Sequence, residues 1–315
     1  MPGRAAPLPS PSHGGGGSRK DSFAESSGDS LANHATALIR RVINTRMSAP
    51  LTVIIPCKNE VANIAPCIAS ARLIADEVLV ADSGSTDGTL EYVRRRGDCR
   101  VIEREYRTSG DFKNWAIPQA THGWVLILDA DERITPPLAA EIRRALDRPE
   151  CDGYWIYRHN HLMGHRVHHT CWARDKVLRL FRRDAGRYHG PSDHGEVVVS
   201  TGRVGSLAER LEHFTFWSWG DWLRKLDRYS LVQAEQWLAA GRTPSTWRLL
   251  VHPPLRFLRD YIIHRGFLDG KVGLQIAWSS AFYSFMKQAR LWELHDGLNR
   301  AAVEGRSELA TQTAA

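Results

Sequence analysis

The sequence predicts an α/β chain, a mostly parallel sheet with helices on both faces, followed by a C-terminal helical extension. Two observations carry this. Between Leu51 and Leu128, short β-branched apolar runs alternate with segments whose apolar residues recur at helical spacing, as parallel strands joined by crossover helices require. After about Gly205 the composition changes: seven of the eleven tryptophans lie in the last third, interleaved with arginines. There Leu255, Leu258 and Ile262 share one helical face while Arg256 and Arg259 fall on another.

Leu51 to Pro56 reads as a buried strand. Asn59 is placed to cap a helix running to about Arg72, with Ile64 and Ile68 on one face. Glu77 to Ala81 is a second strand, ending at Asp82, and Ser85 or Thr86 opens a helix carrying Leu90 and Val93. Arg100 to Ile102 is a third strand. A helix over Phe112 to Ala120 leads into the fourth, Trp124 to Leu128, which ends at Asp129. Ligands of such sheets bind beyond the carboxyl ends of the strands. Here those ends carry Lys58, Asn59 and Glu60, then Asp82, then Asp129 and Asp131. The division that results is a disordered or dispensable tail over residues 1–49, a sheet domain over 50–206 and a helical extension over 207–315. The tail is rich in Gly, Pro and Ser, and Met47 would serve as a natural start, so residues 1–46 are expected to be dispensable.

A length of 315 residues, 43% hydrophobic and 24% charged, allows one large domain and a smaller one. Five cysteines with no close CxxC pair argue against a zinc site or a disulfide framework. Their odd number fits a reducing, cytoplasmic compartment. The net charge of +7 calls for an anionic partner. No helix-turn-helix, zinc-finger or RNP pattern is present, so nucleic acid is set aside, leaving a nucleotide diphosphate and phosphorylated glycolipids at a membrane face. No secretory signal opens the sequence. The uncharged stretch Val272 to Met286 is too short to span a bilayer.

The strongest chemical signal is Asp129-Ala130-Asp131. Two carboxylates on a turn at a strand end can hold a hard divalent cation, Mg2+ or Mn2+, that also binds phosphate oxygens. Such a cation stabilises charge on a departing diphosphate. Alone, the motif reads equally as a solvated turn. It is joined here by Pro56-Cys57-Lys58-Asn59-Glu60 after the first strand and by Asp82-Ser83-Gly84-Ser85-Thr86-Asp87-Gly88-Thr89 after the second.

In this order and spacing, the three segments resemble glycosyltransferase family 2 and its GT-A, Rossmann-like nucleotide-sugar fold, over roughly Leu51 to Val199. The resemblance implies that Pro56, Lys58, Asn59 and Glu60 contact the nucleotide, with Pro56 and Glu60 near base and ribose. It implies Asp82 on the uracil, and Asp129 and Asp131 on the ribose and the metal-diphosphate. Lys113 faces the nucleotide, and Asp87 and Gly88 turn the chain into a helix. A narrower resemblance uses Lys113-Asn114-Trp115-Ala116, Leu178-Arg179-Leu180-Phe181-Arg182 and Gly266-Phe267-Leu268-Asp269-Gly270. These are similar to lipopolysaccharide core glucosyltransferases that add β-1,4-linked glucose to an inner-core heptose, and the similarity runs to about Trp292. It implies a UDP-glucose donor, an anionic glycolipid acceptor and a peripheral position on the cytoplasmic face of the inner membrane.

Residues 153–188 carry eight Arg and Lys against Asp175 and Asp184, a local charge of +6. This suits a phosphorylated acceptor, with an ordinary basic surface as the competing reading. His159, His161, His165, His168 and His169 in that stretch lack metal-site spacing and read as acceptor-binding or surface residues. His213 is a candidate additional metal ligand by the family resemblance. Inversion needs a base that takes the acceptor hydroxyl proton. Related enzymes place an acid after a His, and Asp193-His194-Gly195-Glu196 makes Glu196 the candidate. Asp193 is its rival, because Gly195 stands where relatives carry the Glu and a one-residue shift on a strand reverses the facing. The Trp- and Arg-rich end fits helical packing and interfacial binding alike. The rival functions are a nucleotidyltransferase, against which the absence of a Gly-rich phosphate loop argues, and a non-catalytic nucleotide-sugar-binding membrane protein.

Overall fold

The computed structural model describes residues 48–189 and 196–297. Asp193 and nearly all of the expected tail lie outside the described residues. The last two tail residues, Ser48 and Ala49, are tied to the sheet domain: Arg143 donates to the Ser48 hydroxyl at 3.2 Å, and the Ala49 amide donates to the Leu146 carbonyl at 3.1 Å.

In chain order the strands are β1 (Leu51–Cys57), β2 (Glu77–Asp82), β3 (Arg100–Glu103), β4 (Trp124–Ile127), β5 (Glu132–Arg133), β6 (Gly153–Leu162), β7 (His165–Arg166), β8 (Lys176–Arg182), β9 (Gly186–His189), β10 (Glu196–Val199) and β11 (Val204–Phe216). The helices are α1 (Ile64–Ala71), α2 (Thr89–Arg96), α3 (Ser109–Ala116), α4 (Pro136–Asp147), α5 (Trp219–Ala239), α6 (Thr246–Leu258) and α7 (Gly270–His295). The main sheet runs β3-β2-β1-β4-β8-β6-β11-β5, with β7 paired to β6. Its first four strands are parallel, and β8 then enters antiparallel between β4 and β6. Strands β9 and β10 form a separate antiparallel pair.

The period-two alternation of β1 divides the core. Leu51, Val53 and Ile55 face α1, α2 and α4 through Ile68, Val93 and Ile142, whereas Ile54 packs with Phe112 and Ala116 of α3. Helices on both faces leave only the strand ends open to a ligand.

Three expectations shift, each for a local reason. Asn59 does not cap the first helix, which begins at Ile64: its backbone is left-handed at φ 57°, and its side-chain oxygen accepts from the Thr86 amide at 2.8 Å. Ser85 is likewise consumed, donating its hydroxyl to Asp82 at 2.5 Å, so α2 waits until Thr89, after Gly88 at φ 96°. The third shift concerns the expected boundary at 206/207, which falls inside the thirteen-residue strand β11. Leu207 and Leu211 share one face of a strand as readily as one face of a helix, and both are buried in the sheet core. The helical region therefore starts at Trp219, capped by Ser218, whose hydroxyl accepts from the Asp221 amide at 3.1 Å.

Trp222 and Ile276 pack with Leu162, Val167 and Phe216, seating α5 and α7 on the ends of β6 and β11. No helix among the described residues is long and apolar enough to cross a membrane. The turn before α7 is packed backbone to backbone: a Cβ at Gly273 would collide with the Gly266 carbonyl, and one at Gly266 would lie 2.7 Å from the Asp260 carbonyl. Backbone cannot swing aside as a side chain does, so Gly273→Ala should destabilise by about 1–3 kcal/mol. A thermal melt reads this as a drop of several degrees; an unchanged melting temperature would refute the close contact.

Candidate active site

The ends of β1 and β4, α3 and the two-stranded β9–β10 pair enclose a cleft of 1190 Å³. Its wall includes the segment Pro56 to Glu60, Lys113, Asp129, Asp131, Glu196 and His213, so the structure brings most of the sequence-predicted residues together. The C-terminal helices complete it with Trp222, Lys225, Arg256 and Tyr283.

At the floor, acids face cations. Asp129 receives Lys113 Nζ on Oδ1 at 3.0 Å and the Arg179 guanidinium on Oδ2. Glu132 is fully buried. It accepts from the Asp129 amide at 3.1 Å, from Arg158 at 3.2 Å and from Arg179 at 3.4 Å. Arg158 also reaches Asp175 at 2.6 Å. Three carboxylates thus meet three cations, the condition under which buried charge is tolerated. Burial alone would push the Asp129 carboxyl up, but Arg179 and then Lys113 overturn that and hold it well below the usual carboxylate range. Burial opposes the charge on Arg179 in the same way, and Asp129 and Glu132 more than restore it.

Beside this cluster, β5 pairs with β11 so that His213 lies opposite Glu132, and the Phe214 amide donates to the Asp131 carbonyl at 2.9 Å. That pairing sets His213 Nε2 3.4 Å from Asp131 Oδ2. The tautomer of His213 follows from its other neighbour. Asn160 donates its amide nitrogen to the Trp172 carbonyl at 2.8 Å and to Asp175 at 3.1 Å, which turns its oxygen toward His213 Nδ1 at 2.5 Å. Nδ1 is then a donor, which leaves Nε2 turned to Asp131: in the protonated ring it donates to the carboxylate, and in the neutral ring it offers a lone pair instead. In the neutral ring, that lone pair and the carboxylate are two acceptors that suit a shared cation. Burial raises the Asp131 carboxyl, and His213 brings it below its ordinary value.

A model of glycosyl transferase family 2 matches residues 52–201. The lipopolysaccharide core biosynthesis glycosyltransferase LpsC of Rhizobium meliloti (strain 1021) is 32% identical over 254 residues, covering 78% of this chain and 93% of its own. The chain belongs to glycosyltransferase family 2. A glycosyltransferase of Rickettsia felis is 29% identical over 254 residues, 77% of this chain and 89% of that one. Among solved structures, glucosyl-3-phosphoglycerate synthase from Mycobacterium tuberculosis in complex with Mn2+ and UDP-glucose aligns over 67% of this chain and 84% of that one, at 16% identity and a TM-score of 0.44.

Within this family 2 member, the remaining candidates occupy distinct places. Asp82 is fully buried and does not line the cleft. Its Oδ2 accepts from the Gly84 and Ser85 amides, both at 2.8 Å, and its Oδ1 accepts the Ser85 hydroxyl, so it shapes the loop while Ser83 reaches the wall. Glu60 lines the cleft; burial pushes its carboxyl up, against the hydrogen bond it accepts from Asn63 at 2.8 Å. Lys58 and Asn59 are exposed at the rim. Glu196 opens β10 on the face opposite buried Val197 and Val199. Three histidines of the basic stretch are engaged elsewhere: His159 and His161 meet Glu212 at 3.3 and 2.5 Å, and His169 meets Asp269 at 3.0 Å.

Sequence reasoning missed Glu132, and it read Arg158 and Arg179 as part of a basic stretch for a phosphorylated acceptor, with Arg179 also in a family motif, rather than as partners of buried acids. The signal available was the third acid directly after the Asp-x-Asp motif, which demands buried partners.

Removing Arg179 tests the charge cluster. Arg179→Met leaves Glu132 and Asp129 short of a cation and should cost about 3–5 kcal/mol. Because the folded Asp129 carboxyl lies below its unfolded value, its contribution is present at neutral pH and is lost as pH falls through the folded value. Without Arg179 that value rises, so the acid limb of stability moves to higher pH. Urea midpoints measured between neutral pH and the carboxylate range would show this, and superimposable profiles would refute it.

Proposed function

We propose that the protein is an inverting transferase that moves a hexosyl group, glucose from UDP-glucose, onto a sugar hydroxyl of an anionic glycolipid, an inner-core heptose of lipopolysaccharide. It would act while peripherally bound at the cytoplasmic face of the inner membrane. The observation that carries the reading is the cleft in which Asp131, His213, Lys113 and Arg179 converge at the strand ends opposite an exposed carboxylate, Glu196. The core-biosynthesis role given to LpsC supports the acceptor.

The residues fit a divalent metal, Mg2+ or Mn2+. Asp131 and the unprotonated Nε2 of His213 would hold it, since Asn160 occupies Nδ1 and leaves Nε2 turned to the carboxylate. When bound, the cation supplies Lewis-acid stabilisation of charge on the leaving diphosphate. Lys113 and Arg179 add fixed positive charge on the same side of the cleft, in a position to attract the diphosphate. Asp129, held ionised between them, keeps both cations aimed. Pro56, Asn59 and Glu60 border the space for base and ribose, with the loop shaped by Asp82 beneath. Glu196 takes the acceptor hydroxyl proton as its oxygen bonds to the anomeric carbon. The bond from that carbon to the diphosphate breaks on the opposite face, which inverts the configuration.

The reading is tested with a panel of UDP-, GDP- and TDP-sugars, with and without chelator, following donor hydrolysis and transfer to a deglucosylated core acceptor. UDP-glucose should be used and the chelator should abolish turnover. Glu196→Gln, which keeps size but removes basicity, should lower turnover by roughly a hundredfold with UDP affinity unchanged, and Asp193→Asn should be milder. Chelator-insensitive turnover would overturn the metal assignment, and the reverse order of the two variants would move the base to Asp193.

A further inference from the structure

A second cavity, of 700 Å³, opens between α5, α6 and α7, away from the strand ends. Its lining is strongly cationic. Arg242, Arg248, Arg256, Arg259 and Lys287 all contribute, together with His252, and no carboxylate lines it. Arg256 and Arg259 share one acid, the fully buried Asp260, at 3.2 and 3.4 Å. Arg242, Arg248 and Lys287 have no carboxylate partner among the described residues. Arg242 and Lys287 lie instead over the Trp237 ring, 5.3 and 5.2 Å from its centroid. Five cations against one acid leave a local excess of +4.

Such an excess is expensive to gather around a cavity. Like charges at these separations repel, and partial burial strengthens the repulsion. The strain is visible at Lys287, whose ammonium is pushed below its ordinary value by burial and by the nearby Arg256. Arg242 and Arg248 are exposed and Lys287 is half-buried, yet all three line one hollow. A second observation points the same way. Gln288 is only 6% exposed, lines this cavity, and its amide oxygen has no hydrogen-bond partner. An amide in that place can turn either end to a ligand, so it can give its NH2 to an anion's oxygen.

We propose that this pocket binds a phosphate group. Guanidinium groups match the tetrahedral oxygens with paired donors, and a group carrying up to two negative charges neutralises most of the excess. Two features locate the carrier. Arg256 lines both this pocket and the catalytic cleft, so a molecule anchored here can reach the strand ends. The adjoining surface of α6 exposes Trp247, Leu250, Leu255 and Leu258, which suits an amphiphile. The carrier is a phosphorylated glycolipid acceptor or a membrane lipid headgroup beside it. Naming the acceptor rests on the proposed function, whereas phosphate binding itself does not.

The test uses the full chain and inorganic pyrophosphate, titrated calorimetrically with UDP and Mn2+ saturating so that the catalytic cleft is filled. Arg242→Gln/Arg248→Gln alters two exposed side chains and should leave folding intact; Lys287→Gln serves as an independent second variant. Each should weaken pyrophosphate binding by about tenfold or more, the loss expected for a charge-assisted hydrogen bond, with UDP affinity unchanged. Unchanged pyrophosphate affinity in both variants overturns the proposal, as does wild-type protein that takes up no pyrophosphate once UDP is bound. Vesicles distinguish the sources. If the carrier is a headgroup, binding to phosphatidic acid in phosphatidylcholine falls in the variants. If it is the acceptor, vesicle binding holds while the KM for phosphorylated acceptor rises and that for its dephosphorylated form does not. A failure of transfer altogether would count against the proposed function and leave the calorimetric result standing.

Discussion

Two acids after β4, the half-buried Asp129 and the fully buried Glu132 that opens β5, must both stay charged, and the architecture of the site follows from that. Lys113 comes from α3, Arg158 from β6 and Arg179 from β8. The parallel half of the sheet and its antiparallel extension are therefore joined at their centre by charge as well as by backbone hydrogen bonds. That arrangement adds little to net stability against an apolar core, because desolvation cancels most of the attraction. What it fixes is geometry: two cations are held at the floor of the cleft proposed to receive a diphosphate.

The same constraint separates the two carboxylates of the Asp-x-Asp motif. Asp129 spends both oxygens on Lys113 and Arg179. Asp131 faces His213, whose ring is oriented by Asn160, and Asn160 in turn by Trp172 and Asp175. The motif is symmetric in sequence and asymmetric in space. One acid organises protein cations, and the other is left to organise a ligand.

The parallel half of the fold was legible in the sequence because its strands are buried on both faces and read as continuous apolar runs, such as Leu51 to Pro56. β11 was not, because Leu207 and Leu211 sit at a spacing that helix and strand share. At the site, Asp131 and His213 were both named from sequence, and β5 pairing with β11 brings them together. Asp82 was expected at the base, but its oxygens are filled by a turn two and three residues on, a local competition that strand-end position cannot reveal. Arg158 and Arg179 were hidden for a different reason. Nothing in a run of basic residues tells which of them point inward, and only the register of β6 against β8 decides it. The helical end read as an appendage, yet Trp222, Lys225, Arg256 and Tyr283 form one wall of the cleft.

Among the described residues no group of three or more His, Cys, Asp or Glu side chains is arranged to hold a metal ion. In the proposed mechanism Asp131 and His213 alone would supply too few ligands for tight binding of a hard cation, which takes six or more donors, so the nucleotide would complete the set. Titration of Mn2+ into the protein, followed by electron paramagnetic resonance with and without UDP, addresses this most directly. The account predicts weak uptake alone, strong uptake with UDP, and loss of the UDP-dependent signal in Asp131→Ala and His213→Ala. Tight binding without nucleotide, or a signal lost in Asp129→Asn but retained in His213→Ala, would contradict it.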